Sequence, residues 1–295
     1  IITDIEKKCI NAIRFLSIDM VQKANSGHPG APMSLAPLTF VLWRDHLRFN
    51  PNKPKWPDRD KFILSAGHAS ALLYSILHLT GYKISINDIK NFRQYESITP
   101  GHPEYGLTDG VEATTGPLGQ GFANGVGMAI ASKRKESIND LEHLPTTIYS
   151  IVSDGDLMEG ISSEAASIAG TLKLNNIIYF YDSNNISIEG STDLAFKEDV
   201  AKRFQSYGWN VIENIQGEDI YKISESIDLA KESDLPSLII LNTKIGHGSP
   251  NKSGTEKAHG EALGEEEVEL TRKELNWTND PFDIPDDVYK YFEEF

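Results

Sequence analysis

Hydrophobic and polar positions follow two rhythms along this chain. From Asp4 to Ala24 the apolar residues Ile5, Cys9, Ala12, Ile13, Leu16 and Met20 recur every three or four positions, which predicts an amphipathic helix. The loop Asn25-Ser26-Gly27-His28-Pro29-Gly30 ends it, and a second apolar helix is predicted around Ser34 to Leu47. Short unbroken apolar runs closed by turn residues read as buried strands: Lys61 to Leu64, Thr147 to Val152, Ile177 to Tyr181, Trp209 to Ile215 and Ser237 to Thr243. Helices are predicted over Ser70 to Leu79, Phe122 to Ser132, roughly Glu159 to Leu174, Glu198 to Tyr207 and Ile220 to Lys231. Small residues crowd the second of these (Ala123, Gly125, Gly127, Ala129, Ala131), so it should pack backbone-close on a neighbour. The stretch from Gln94 to Gly121 is long, irregular and rich in Gly, Pro and Thr, which in a compact domain points to function.

Strands alternating with helices predict an α/β fold class: a doubly wound, mostly parallel sheet with helices on both faces. If the runs 147–152 and 177–181 flank one βαβ crossover, Asp154 and Asn184 leave the sheet at the same edge, 184 − 154 = 30 residues apart. Ligands of open α/β sheets bind beyond the carboxyl ends of the strands. A carboxylate and an amide oxygen converging there are hard ligands suited to Mg²⁺ or Ca²⁺. Gly155 permits close backbone approach, and the helix after it is expected to offer N–H groups to an anion. A cation beside an anion-binding turn suggests a diphosphate. Polar loops at 65–68, 153–155 and 243–248, with amides at 182–185, are expected to form a single site at that edge.

Composition narrows the choice. A chain of 295 residues holds one large α/β domain or two small ones. Its net charge of −15 argues against nucleic acid or an anionic membrane surface as partner. The single cysteine, Cys9, excludes internal disulfides and fits a reducing, cytoplasmic setting. No apolar run nears the ~20 residues that span a bilayer. The chain opens on Ile1 without a signal-peptide pattern, and its lack of an initiator Met leaves residues upstream as an expectation.

Eight histidines are present. His46, His78 and His143 are expected to be solvated or satisfied by neighbours. His28, His68, His102, His247 and His259 all stand beside glycine in loops and are expected to act together in hydrogen bonding and proton transfer. Zinc spacings are absent, and no Gly-x-Ser-x-Gly elbow supports a hydrolase. Gly116-Pro117-Leu118-Gly119-Gln120-Gly121 has its glycines in the wrong order for a dinucleotide fingerprint and better suits a turn touching a flat ligand.

Taken in order, several segments resemble the amino-terminal, diphosphate-binding domain of transketolases. They are Ser26-Gly27-His28-Pro29-Gly30, Ser65-Ala66-Gly67-His68, Thr99-Pro100-Gly101-His102-Pro103-Glu104 and Thr114 to Gly121, then Ser153-Asp154-Gly155 to Gly160, Asn184 to Gly190, Ile245 to Lys252 and His259-Gly260. The resemblance covers nearly the whole chain. It implies the thiamine-diphosphate-binding fold over residues 1–275, with 276–295 starting a linker to a pyrimidine-binding domain that this sequence lacks. It implies thiamine diphosphate with Mg²⁺ or Ca²⁺, ligated by Asp154, the Asn184 side chain and the Ile186 carbonyl. Gly155, His68 and His259 would contact the diphosphate, with Asn184 beside them. Gly116, Pro117 and Leu118 would line the cofactor, Gly116 and Leu118 against its rings. Glu159 is placed with the cofactor residues, near a homodimer interface that couples two sites. His28, His68, His102 and His259 would be catalytic, binding the hydroxyls of a ketose and moving protons.

The implied reaction is transfer of a two-carbon ketol unit between sugar phosphates, as in the pentose phosphate pathway. The glutamate that activates the cofactor in this family would lie in the second domain, so the 295-residue chain alone is expected to be inactive. Dihydroxyacetone synthase, another thiamine-diphosphate enzyme, or a non-catalytic binding or regulatory domain are the alternatives. The sequence departs from the family's usual pattern at Ser153 (Gly), Asn185 (Gly) and Glu261-Ala262 (Ala-Pro). Asp156 adds a second carboxylate, expected either beside the metal or facing solvent.

Overall fold

The structure, a computed structural model, describes residues 2–138, 144–184, 186–187, 190–191 and 196–295, with only the backbone at 186–187 and 190–191. His143 and Asn185 lie outside the described residues.

Five apolar runs pair into one all-parallel sheet. They are β1 (Lys61–Leu64), β2 (Ile148–Ser153), β3 (Ile177–Ser183), β6 (Asn210–Gln216) and β7 (Ser237–Asn242), in the spatial order β1-β2-β3-β7-β6. A separate two-residue antiparallel pair, β4 (Ile186–Ser187) and β5 (Gly190–Ser191), follows β3. The central strands carry no solvent face, because successive side chains enter two different cores. Tyr149, Ile151, Ile178 and Phe180 point into one, while Ile148, Val152, Ile177 and Tyr179 point into the other. That is why these runs read as continuous apolar segments. On the first face lie α1 (Asp4–Ala24), α2 (Gly30–Val41), α3 (Ser70–Leu79) and α9 (Ile220–Lys231). On the second lie α5 (Gln120–Ile138), α7 (Gly160–Thr171) and α8 (Val200–Ser206). The expected doubly wound arrangement is the observed one.

The expected α2 begins four residues too late and runs too far. Pro32 falls within its first turn, where a missing N–H costs nothing, and the helix starts at Gly30. It ends in a widened turn, Leu42–His46. Pro37, inside the helix, leaves the Met33 carbonyl without its helical donor. Arg14 of α1 supplies one instead, its Nε donating to that oxygen at 2.8 Å. A short helix, α4 (Ile86–Lys90), went unpredicted although Ser85 and Asp88 form a capping box that the sequence displays.

The small-residue helix packs as its composition requires. A β-carbon on Gly125 of α5 would sit 2.1 Å from Tyr179 Oη, whose hydroxyl donates to the Phe122 carbonyl at 2.8 Å. The C-terminal part, α10 (Glu265–Glu274) and α11 (Asp286–Phe292), folds back on α1. Trp277 stacks on Phe15, and Arg272 pairs with the buried Asp19 at 2.6 Å.

Candidate active site

The helix expected from roughly Glu159 is α7, and an unpredicted short helix precedes it. Ser153 caps a one-turn helix, α6 (Asp154–Met158), and Glu159 then adopts an extended backbone before α7 begins. Asp154 stands at the first position after the strand, with Gly155 beside it. The short helix also changes the anion expectation. The Asp156 amide at this start donates to Ser153 Oγ at 3.3 Å, so α6 is a local cap rather than a long helix aimed at an anion.

One cavity of about 550 Å³ opens beyond the carboxyl ends of β1, β2 and β3. Asp154, Gly155 and Asn184 line it together, as do His28, His68, His102 and His259, with Gly116 and Leu118 on another wall. Its floor is apolar, made by Ala31, Leu35 and Ile151. Asp154 and Asn184, predicted to meet at one edge, therefore share one chamber. Pro117 and Glu159 are exposed and do not line it. Ile186 stands in β4, its backbone paired with Ser191.

Three imidazoles form a tight group. The His28 and His68 ring centres are 5.0 Å apart, His68 and His259 5.4 Å, and His28 and His259 5.7 Å. Burial lowers the pKa of each, to about 4 for His28 and about 3 for His68, with the neighbouring imidazoles adding to the effect for these two. All three are neutral at physiological pH. Nδ1 of His28 and Nδ1 of His259 are buried and have no protein partner, which is what a site awaiting a ligand's polar atoms presents. His102 stands exposed at the rim, its ring 3.3 Å from where a β-carbon on Gly116 would lie.

His247 is not part of this group. It lines a smaller cavity of about 210 Å³ with Lys244 and Glu218, its Nδ1 3.5 Å from Glu218. The loop 243–248 thus departs from the single site expected at the edge. Its continuation returns, because the Gly246 amide donates to the Gly30 carbonyl and Ala258 packs over Gly30, carrying His259 to the cavity. His46 and His78 are satisfied as expected, by Ser224 and by the Ile84 carbonyl with Tyr289.

One carboxylate escaped the sequence reading, and another was expected in the wrong place. Asp182 lines the cavity, buried, and burial pushes its pKa up to about 6. It accepts a hydrogen bond from Thr243 Oγ1 and another from Asn184 Nδ2 at 2.9 Å. The second bond turns the Asn184 nitrogen toward Asp182 and its oxygen the other way. Asp154 is likewise raised to about 6 by burial and accepts the Tyr181 hydroxyl. Asp156 neither faces solvent nor lines the cavity. It is wholly buried under four hydrogen-bond donors.

The donor set of one carboxylate, one amide and a backbone carbonyl fits a hard divalent cation. Among the described residues no group of three or more His, Cys, Asp or Glu side chains has metal-binding geometry.

A doubly wound sheet with a polar chamber at its carboxyl edge defines a cofactor-binding α/β domain. The family described as "Transketolase, thiamine diphosphate binding domain" matches residues 5–295, and the chain belongs to it. Transketolase 2 of Vibrio vulnificus is 54% identical over 289 residues, covering 96% of this chain and 43% of its own length. The transketolase of a Nostoc species is 56% identical over 293 residues, 97% of this chain and 44% of its own. Among solved structures, Campylobacter jejuni transketolase superposes with a TM-score of 0.95 at 49% identity, covering this whole chain and 46% of that one. Pichia stipitis transketolase in complex with sedoheptulose-7-phosphate gives 0.95 at 44% identity, over 99% of this chain and 44% of that one. The chain thus spans less than half the length of these relatives. Among the described residues no helix is long and apolar enough to cross a membrane.

Proposed function

We propose that this domain holds the diphosphate end of thiamine diphosphate, with a Mg²⁺ or Ca²⁺ ion, for ketol transfer between sugar phosphates by a transketolase. The observation that carries the proposal is the meeting of Asp154, Asn184 and a cluster of uncharged imidazoles in one chamber. Asp154, the Asn184 oxygen and the Ile186 carbonyl are the proposed metal ligands. Thiamine diphosphate, when bound, supplies the carbon acid that accepts and releases the two-carbon unit.

The protein's own residues bind, orient and exchange protons. The Gly155 backbone closes on the diphosphate side, where a side chain would strike Leu118. Gly116 and Leu118 form the adjoining wall, against the rings. His28, His68 and His259, neutral and partly stripped of partners, donate to or accept from ketose hydroxyls and hold a proton in transit. His102 serves the same purpose at the entrance. Residues 276–295, expected to start a linker, carry Trp277, Val288 and Phe292 buried in the core beside α1, and we place the connection to a pyrimidine-binding domain after α11. A second copy of the chain would meet the exposed Ile130 of α5 and Ile168 and Leu172 of α7, with Glu159 at the start of α7.

Calorimetric titration tests the reading. Thiamine diphosphate should bind in the presence of Mg²⁺ and far more weakly without it. Asp154→Ala should weaken binding about a hundredfold or more, because a ligating carboxylate is lost outright. Equal affinity for Asp154→Ala and the unmodified chain would overturn it.

A further inference from the structure

Three loops wall the proposed cofactor chamber: the one bearing His68, the one bearing Gly116 and Leu118, and the one bearing Asp154 and Gly155. All three end on a carboxylate that the chamber never touches. Asp156 Oδ1 accepts from Ser65 Oγ at 2.8 Å and from the Gly119 amide at 2.7 Å. Its Oδ2 accepts from the Ser153 amide at 2.9 Å and from Ser153 Oγ at 3.0 Å. Ser65 Oγ in turn accepts from the Phe122 amide at 2.9 Å, which fixes the start of α5. A helix cap needs only the Oδ2 half of this arrangement. The Oδ1 half is spent on two other loops.

The loops have little slack. A β-carbon on Gly67 would lie 2.7 Å from the Gly116 nitrogen, and one on Gly155 would lie 2.8 Å from Leu118 Cδ1. A displacement of one loop therefore moves the next. Four donors meet the four lone-pair directions of an ionised carboxylate, and no neutral side chain of that size can accept them all.

We propose that Asp156 is a positioning residue that holds the Asp154–Gly155 wall and the adjoining Gly116–Leu118 wall in one fixed relation, so that a cofactor is gripped at both its diphosphate and its rings. The inference rests on the thiamine-diphosphate reading above. It separates from a general stabilising role because inorganic pyrophosphate engages only the first wall.

The test is calorimetric titration of the 295-residue chain, unmodified and as Asp156→Asn, with Mg²⁺ and either thiamine diphosphate or pyrophosphate. Asp156→Asn should weaken thiamine diphosphate about tenfold or more and pyrophosphate less than about threefold. Equal weakening of both, or of neither, overturns the proposal. If Asp156→Asn shows no cooperative thermal transition, Ser65→Ala, which removes one donor and keeps the carboxylate, should give the same selective pattern. Its failure to do so counts equally against the proposal. An unmodified chain that binds pyrophosphate as tightly as thiamine diphosphate also overturns it, since the second wall then adds nothing. One that binds neither overturns the cofactor reading, and this inference with it.

Discussion

Imidazoles placed where water is scarce stay uncharged, and that has a consequence for stability as well as for the site. His46, outside the chamber, is pushed down to about 4 by burial and by the Lys231 ammonium. An unfolded chain takes up a proton on this residue below its ordinary value of 6.5, whereas the folded chain refuses it until about 4. The stability it contributes is full above the higher value and is lost as pH falls toward the lower one. Asp154, raised to about 6, acts in the opposite sense, its buried charge being relieved by acid. Comparing variants separates the two. His46→Gln should shrink the fall in melting temperature between about pH 7 and about pH 5, and an unchanged fall would sink the assignment. At this scale much of the site was legible. His28, His68, His102 and His259 announced themselves by standing next to glycine in loops. His247 carried the same mark and lies elsewhere, because a glycine neighbour reports a turn and not its destination. Asp182 was not legible at all, and Asp156 was noticed but misplaced: a carboxylate beside a candidate ligand looks the same whether it faces a cavity or four buried donors.

Elements were read well where burial dictates sequence and poorly where helices are short or end irregularly. The strands stood out because both of their faces are covered, which forces unbroken apolar runs. The bounds of α2 did not, since Pro32 is tolerated within its first turn and its far end opens into a widened turn. The helix expected from roughly Glu159 to Leu174 is α7, whereas the one-turn helix α6 before it was missed because it holds only five residues. The seat of α5 on the sheet allows a quantitative prediction. Gly125→Ala drives a methyl into the Tyr179 hydroxyl and should destabilise the domain by about 1–3 kcal/mol through overpacking. Urea unfolding would measure this, and a loss indistinguishable from zero would show that α5 can slide.

The whole molecule is a domain whose relatives are more than twice as long. The chain on its own should bind cofactor and show no ketol transfer between sugar phosphates. Adding a separately produced pyrimidine-binding domain from a transketolase should restore turnover, while a purely regulatory module would stay silent. Measurable transfer by the lone chain would contradict the two-domain reading. There is a further consequence in the way the ends of this chain clasp each other. β1 at 61–64 pairs with β2 at 148–153, and Phe15 waits for Trp277. Lys8 likewise meets Asp287, 279 positions later, at 2.7 Å. A ribosome delivers the greasy first three helices long before the surfaces that cover them exist. A nascent chain that has not yet made α11 should therefore expose that apolar face, and a truncation before Asp286 is expected to aggregate.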